Sequence, residues 1–165
     1  VEFRLRKYLK GLIVRHPFDR IVSAFNNKFI QRVEFPELMG AIYDKVHGVN
    51  DSEVIHTKRI TFSQFVDYLI DPGDLPWDEH WSTYDDLCDP CGIQYDYILK
   101  METLQPDIDD IRARTGIVRK LGHNNQAAKV KWRRSATIND LWSLPAEKRQ
   151  GLFNVYKTDF EMFGY

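Results

Sequence analysis

Arg15-His16-Pro17-Phe18-Asp19-Arg20-Ile21-Val22-Ser23-Ala24-Phe25 is the stretch that decides how this chain is read. The apolar run Leu12-Ile13-Val14 before it reads as a short buried strand. Pro17 suits the first turn of a helix and biases His16 away from helical geometry, so strand gives way to helix at Arg15-His16. Beyond it, Phe18, Ile21, Val22, Phe25 and Phe29 recur at helical spacing and make one apolar stripe. A strand, a tight turn and a helix point the free N–H groups of the first helical turn, and the positive end of its dipole, at an anion. Arg15 ends the strand, where its planar fork can grip a phosphate through two hydrogen bonds. Ser23, nearly two turns into the helix, lies off the phenylalanine face and offers a hydroxyl.

Outward from this anchor, 165 residues are enough for one domain with a real core, spanning 1–165. The net charge of -1 hides an uneven distribution. Ile111 to Asn139 holds no acid but contains Arg112, Arg114, Arg119, Lys120, Lys129, Lys131, Arg133 and Arg134. Asp71 to Asp110 is the reverse, with Lys100 as its one Lys or Arg. The basic region suits phosphate or sulfate groups. No apolar run is long enough to cross a bilayer, and no signal peptide is present. A start at Val1, with a strand almost at once, reads as part of a longer protein.

Val1 to Lys10, basic and aromatic, reads as the end of an upstream helix. Gln31 to Arg59 reads as an irregular excursion with Pro36, Gly40 and Gly48, and Asn50-Asp51-Ser52 within it is an N-glycosylation sequon. Thr61-Phe62-Ser63-Gln64 opens an amphipathic helix burying Phe62, Phe65, Val66, Leu69 and Ile70, which Asp71-Pro72-Gly73 ends. Tyr95 to Leu99 has the aromatic and β-branched character of a strand, and Gln105-Pro106-Asp107 starts the next helix, closed by Gly116. Lys100 and Glu102 alternate at the strand end and read as an ion pair. Thr137-Ile138-Asn139-Asp140 resembles a helix start. Pro145 opens a last helix, with Leu152, Tyr156, Phe160 and Phe163 facing the core. Cys88 and Cys91 have the spacing of half a zinc site, a redox pair or a disulfide, but no second Cys pair and no thioredoxin-like pattern accompanies them.

The stretch from Val14 to Phe25 resembles the 3′-phosphate-binding motif of sulfotransferases that use 3′-phosphoadenosine 5′-phosphosulfate (PAPS), and its wording is closest to the Golgi carbohydrate sulfotransferases of the chondroitin and dermatan type. Three further blocks follow in the order of that family: His80-Trp81, Cys88-Asp89-Pro90-Cys91, and Tyr95-Asp96-Tyr97-Ile98-Leu99-Lys100-Met101-Glu102-Thr103-Leu104. The ending Tyr156 to Tyr165 is also similar, so the resemblance covers essentially the whole chain. One departure is Leu99, where the family usually has a small residue before the Lys.

The resemblance implies that Arg15 and Ser23 hold the nucleotide's 3′-phosphate, and that the basic segment Lys129 to Arg134, with Arg133 and Arg134, folds over it. His80 is the candidate catalytic base for the acceptor hydroxyl, since His titrates in the useful range. An oxidising lumen favours a structural disulfide, Cys88 with Cys91 or with cysteines elsewhere. The implied fold is α/β, a P-loop nucleotide-kinase-like layer whose parallel sheet is flanked by helices. It is incomplete here, because the 5′-phosphosulfate loop with its Lys, and its strand, would lie upstream of Arg15.

The implied activity is transfer of a sulfuryl group from PAPS to a glycan hydroxyl by in-line displacement, without a metal, and this piece alone would be inactive. The expected setting is the Golgi lumen, in a single-pass type II protein whose anchor lies outside these residues. A glycan acceptor and no nucleic acid are the expected partners. The alternative is a phosphate-binding or nucleic-acid-binding module using the basic tract around Trp132, which would bind in a steeply salt-dependent way without Arg15.

Overall fold

A computed structural model describes residues 6–48, 59–117 and 135–165. Asn50, Lys129, Trp132, Arg133 and Arg134 lie outside the described residues. The chain enters on strand β1 (Gly11–Val14) and turns at Arg15-His16 into helix α1 (Pro17–Phe25), which has Pro17 at its start. A π-helical turn, Asn26–Gln31, prolongs α1. Phe18, Ile21, Val22, Phe25 and Phe29 are all buried, so the helical stripe is the core face that the spacing implies.

Helix α2 (Pro36–His47) takes up the first part of the irregular excursion expected over Gln31 to Arg59, of which residues 49–58 lie outside the described residues. Pro36 and Gly48 are its punctuation: Pro36 sits in the first turn, and Gly48 closes the helix at φ 64. Leu38, Met39 and Ile42 are its buried face. Helix α3 (Phe62–Ile70) starts with a capping box in which Thr61 and Gln64 satisfy each other's backbone N–H groups. Helix α4 (Tyr84–Cys88) is a single capped turn and a half that has no sequence-based counterpart above.

Strand β2 (Tyr97–Lys100) pairs with β1 in parallel, with Gly11 opposite Tyr97 and Val14 opposite Lys100. A 3₁₀ turn, Met101–Thr103, follows at once and leads into helix α5 (Leu104–Thr115). That turn undoes the expected ion pair: Lys100 Nζ donates to the Gly164 carbonyl (3.1 Å), while Glu102 accepts from the His16 N–H (2.8 Å) and the Tyr165 hydroxyl (2.9 Å). Helix α6 (Ile138–Trp142) opens with a Thr137/Asp140 capping box. The expected last helix is two, α7 (Ala146–Val155) and α8 (Lys157–Phe163), broken at Tyr156 (φ -105).

The result is a two-stranded parallel sheet flanked by helices, an α/β arrangement. The main core lies among α1, α2, α3 and the C-terminal helices, and a smaller one joins Leu12 and Val14 to Phe163. Trp81 is fully buried at the centre of the first, ringed by Phe29, Phe35, Phe65 and Tyr68. Its indole N–H donates to the Tyr68 hydroxyl (3.1 Å), and its carbonyl accepts from the Tyr156 hydroxyl (2.6 Å). Two tyrosines, one from α3 and one from the break between α7 and α8, therefore satisfy its buried polar atoms.

Helices α3 and α7 approach closely because Gly151 has no side chain. A Cβ there would stand 2.9 Å from Ile70 Cδ1 and 3.2 Å from both of its γ carbons. Gly151→Val is therefore expected to destabilise the fold by about 1–3 kcal/mol in chemical denaturation, since overpacking forces side chains and backbone to shift. Ile70→Ala, which clears the contact, should recover part of the penalty in the double variant.

Candidate functional site

The carboxyl ends of β1 and β2 are where ligands settle on open parallel sheets, and Arg15 stands there. Its backbone N–H donates to the Tyr84 hydroxyl (3.1 Å). The next N–H, that of His16, donates to Glu102 Oε1. Among the described residues no hydrogen bond or ion pair engages the Arg15 guanidinium, which is partly exposed.

Arg20, one turn into α1, has the opposite character. Its guanidinium donates to the carbonyls of Ser82 and Glu79 (the latter 3.1 Å) and lies 4.6 Å from the centre of the Tyr84 ring. It ties segment 79–84 along α1, a structural use. Of the two arginines in the stretch, only the first has a guanidinium without a partner among the described residues.

The start of α1 is not the open anion site that its pattern implies. Pro17 has no N–H, Asp19 places a carboxylate in the first turn, and His16 caps the helix without a side-chain bond. The rings of Phe18, Phe160 and Tyr165 pack around His16 at 5.8, 5.4 and 5.2 Å. With acids and aromatic rings at that helix end, the guanidinium of Arg15 is the group suited to an anion.

Ser23 is half-buried on α1, and no hydrogen bond of its hydroxyl is formed among the described residues. Asn26 follows one turn later. Its side chain donates to the Ala136 carbonyl and accepts the Ala136 N–H, both at 2.7 Å. The first described residues after the basic tract are thus clamped to the helix that carries Ser23.

His80 lies in the segment leading to α4, its side chain 39% exposed. Asp78 Oδ1 is 2.5 Å from His80 Nδ1 and also accepts the His80 N–H at 2.9 Å. A carboxylate only accepts, so Nδ1 carries a proton, and in the neutral ring it is Nε2 that has the lone pair. Asp78 stands two residues before His80, an Asp-x-His spacing visible in the sequence, and it is the partner that orients the ring. Arg20 holds the carbonyls on either side of His80, while no hydrogen bond or ring contact joins His80 to Arg15 or Ser23.

Cys88 and Cys91 carry free thiols in this structure, so the disulfide expected between them is not formed in it. Cys88 ends α4 and turns toward Tyr84, Tyr95 and the small core, whereas Cys91 is exposed in the turn that follows. Burial pushes the Cys88 thiol up, which disfavours a nucleophilic thiolate.

Tyr84 is a junction of this region. Its own N–H donates to both carboxylate oxygens of the fully buried Asp159 (2.9 and 3.1 Å), and burial raises the phenol above its usual range despite nearby Arg20. Burial likewise raises Asp159, opposed by the N–H of Tyr84 and by Arg20.

A separate cleft of about 390 Å³ lies at the far end of α1, lined by Phe25, Thr61, Ser63, Ser135 and Ser143 among others, and neither Arg15 nor His80 borders it. No cluster of three His, Cys, Asp or Glu side chains able to hold a metal occurs among the described residues. No helix among them is long and apolar enough to cross a membrane.

Comparison with known proteins covers the whole chain. No solved structure matches it. Carbohydrate sulfotransferase 11 of Rattus norvegicus is 36% identical over 172 residues, covering 100% of this chain and 49% of the relative. Carbohydrate sulfotransferase 12 of Mus musculus is 31% identical over 180 residues, with 100% and 42% covered. Carbohydrate sulfotransferase 14 of Homo sapiens is 30% identical over 169 residues, with 100% and 44% covered. The chain therefore spans about half the length of these relatives or somewhat less. The family model described as "Sulfotransferase family" matches residues 1–165, and this chain belongs to that family.

Proposed function

We propose that this chain supplies the 3′-phosphate side of a PAPS site in a carbohydrate sulfotransferase, together with the base that prepares the acceptor. The observation that carries the proposal is Arg15: its backbone is pinned at the carboxyl end of β1 while, among the described residues, nothing engages its guanidinium. Membership in the sulfotransferase family, over every residue, supplies the chemical class. The relatives' names supply the acceptor class, a glycan.

The residues fit the group. Arg15 offers a planar bidentate donor and Ser23 a hydroxyl one, which is what a dianionic phosphate takes. Arg133 and Arg134 belong to the same reading, and the Asn26 clamp on Ala136, which returns the chain beside α1, supports it. The donor, when bound, supplies an activated sulfuryl group. The chain's own work is to hold that nucleotide by its 3′-phosphate and to take a proton from the acceptor. His80 Nε2 is suited to the second task, because Asp78 fixes the tautomer and stabilises the imidazolium formed. A Golgi-lumenal, membrane-anchored setting belongs to the same proposal.

Steady-state kinetics of the full-length protein test both roles. Arg15→Ala is expected to raise the KM for PAPS by about 10- to 100-fold, the value of charge-assisted hydrogen bonds, with kcat changed less. An unchanged KM would remove Arg15 from the donor site. His80→Gln should lower kcat by roughly 10²–10⁴-fold at unchanged donor KM, and Asp78→Asn should lower it by less. Full activity in His80→Gln would assign the base to another residue.

A further inference from the structure

The turn that carries Arg15 makes no backbone hydrogen bond through its two successive N–H groups. Each is taken by a side chain from far away in sequence: Arg15 N–H by the Tyr84 hydroxyl at the head of α4, His16 N–H by Glu102 Oε1 just beyond β2. These bonds span 69 and 86 residues. Neither holder is loose. Tyr84 is fixed through its N–H to buried Asp159, through its ring to Arg20 (4.6 Å), and edge-on to Phe163 (5.5 Å). Glu102 is fixed by the Tyr165 hydroxyl on its second oxygen (2.9 Å), and Tyr165 in turn lies under Lys100 Nζ (4.2 Å). Burial tends to raise Glu102, but the His16 N–H and the Tyr165 hydroxyl more than offset it, so the carboxylate stays below its usual range.

We propose that Tyr84 and Glu102 are positioning residues for anion recognition, a two-point clamp that sets the direction in which the Arg15 guanidinium leaves the strand. This inference rests on Arg15 being the 3′-phosphate ligand. A fork-shaped donor rewards correct aim, and an error in its base is magnified along a long flexible side chain. A carboxylate beside an anion site is repulsive, so its place there is best accounted for by what it accepts from the His16 N–H. Its geometry as an acceptor outweighs its charge. A catalytic role for Glu102 predicts that the amide is inactive, whereas a clamp predicts that the amide, which still offers a carbonyl oxygen to His16 N–H, is competent.

The test is the ratio of affinities of the full-length protein for adenosine 3′,5′-bisphosphate and adenosine 5′-monophosphate, measured by calorimetry. The ratio isolates the 3′-phosphate contact, since a general loss of packing weakens both nucleotides alike. Tyr84→Phe, which keeps the ring, and Glu102→Ala are each expected to reduce the ratio by about 3- to 10-fold, the value of one intramolecular hydrogen bond. Glu102→Gln should hold it within about twofold, the amide oxygen replacing the carboxylate as acceptor. If Arg15→Ala collapses the ratio while Tyr84→Phe and Glu102→Ala leave it intact, the clamp is wrong and the donor site stands. A ratio insensitive to Arg15→Ala overturns the donor-site reading, and the clamp with it. Glu102→Ala removes a side chain at the surface and keeps the test available should Tyr84→Phe fail to fold.

Discussion

The burial of Trp81 is the constraint on which the rest of this structure depends. An indole with no solvent exposure must satisfy its N–H inside the protein, and the peptide carbonyl it carries inward must be satisfied as well. Tyr68 from α3 and Tyr156 from the break between α7 and α8 meet those two needs. Burial pushes the Tyr156 phenol far above its usual range, which favours the neutral donor form. One residue on either side of Trp81, the chain carries His80 outward and Ser82 inward. A packed aromatic therefore fixes the segment that presents the candidate base.

The two arginines of the anchor stretch divide the labour between structure and chemistry. Arg20 spends its donors on carbonyls of segment 79–84 and its face on Tyr84, which locks that segment along α1. Tyr84, so held, takes the Arg15 N–H. Arg15 itself has a fixed backbone and a head that nothing engages among the described residues. An arginine prepared for an anion differs from a structural one in this respect: the ordering entropy of its main chain has been met in advance, while its hydrogen-bonding capacity has not. Asp19, Glu102 and the aromatic rings crowd the start of α1, so in the proposal the anion goes to the Arg15 guanidinium and not to the helix end.

Local chemistry was legible in the sequence wherever one residue's preference settled it. The turn at Pro17, the capping boxes at Thr61 and Thr137, and the glycine that ends α5 all follow from side chains acting within a few positions. Pro36 and Gly48 suggest a loop by composition, yet at those positions they start and stop helix α2. The break at Tyr156 has no Gly or Pro to mark it, and the buried Leu152, Tyr156, Phe160 and Phe163 continue across it. Strand alternation suggested that Lys100 and Glu102 face each other, but the 3₁₀ turn after Lys100 sends them to Gly164 and His16 instead. The clamp on the Arg15 turn leaves no local signature at all, since its partners come from the opposite end of the fold. Among the candidate residues, Arg15, Ser23 and His80 were reached through motif wording. Asp78 and Tyr84 emerge only from geometry.

The most direct measurement is a crystal structure of the full-length protein with adenosine 3′,5′-bisphosphate. The account predicts the 3′-phosphate within hydrogen-bonding distance of the Arg15 guanidinium and the Ser23 hydroxyl, with the Tyr84 and Glu102 bonds to the turn intact. A 3′-phosphate bound elsewhere, with Arg15 facing solvent, would contradict it.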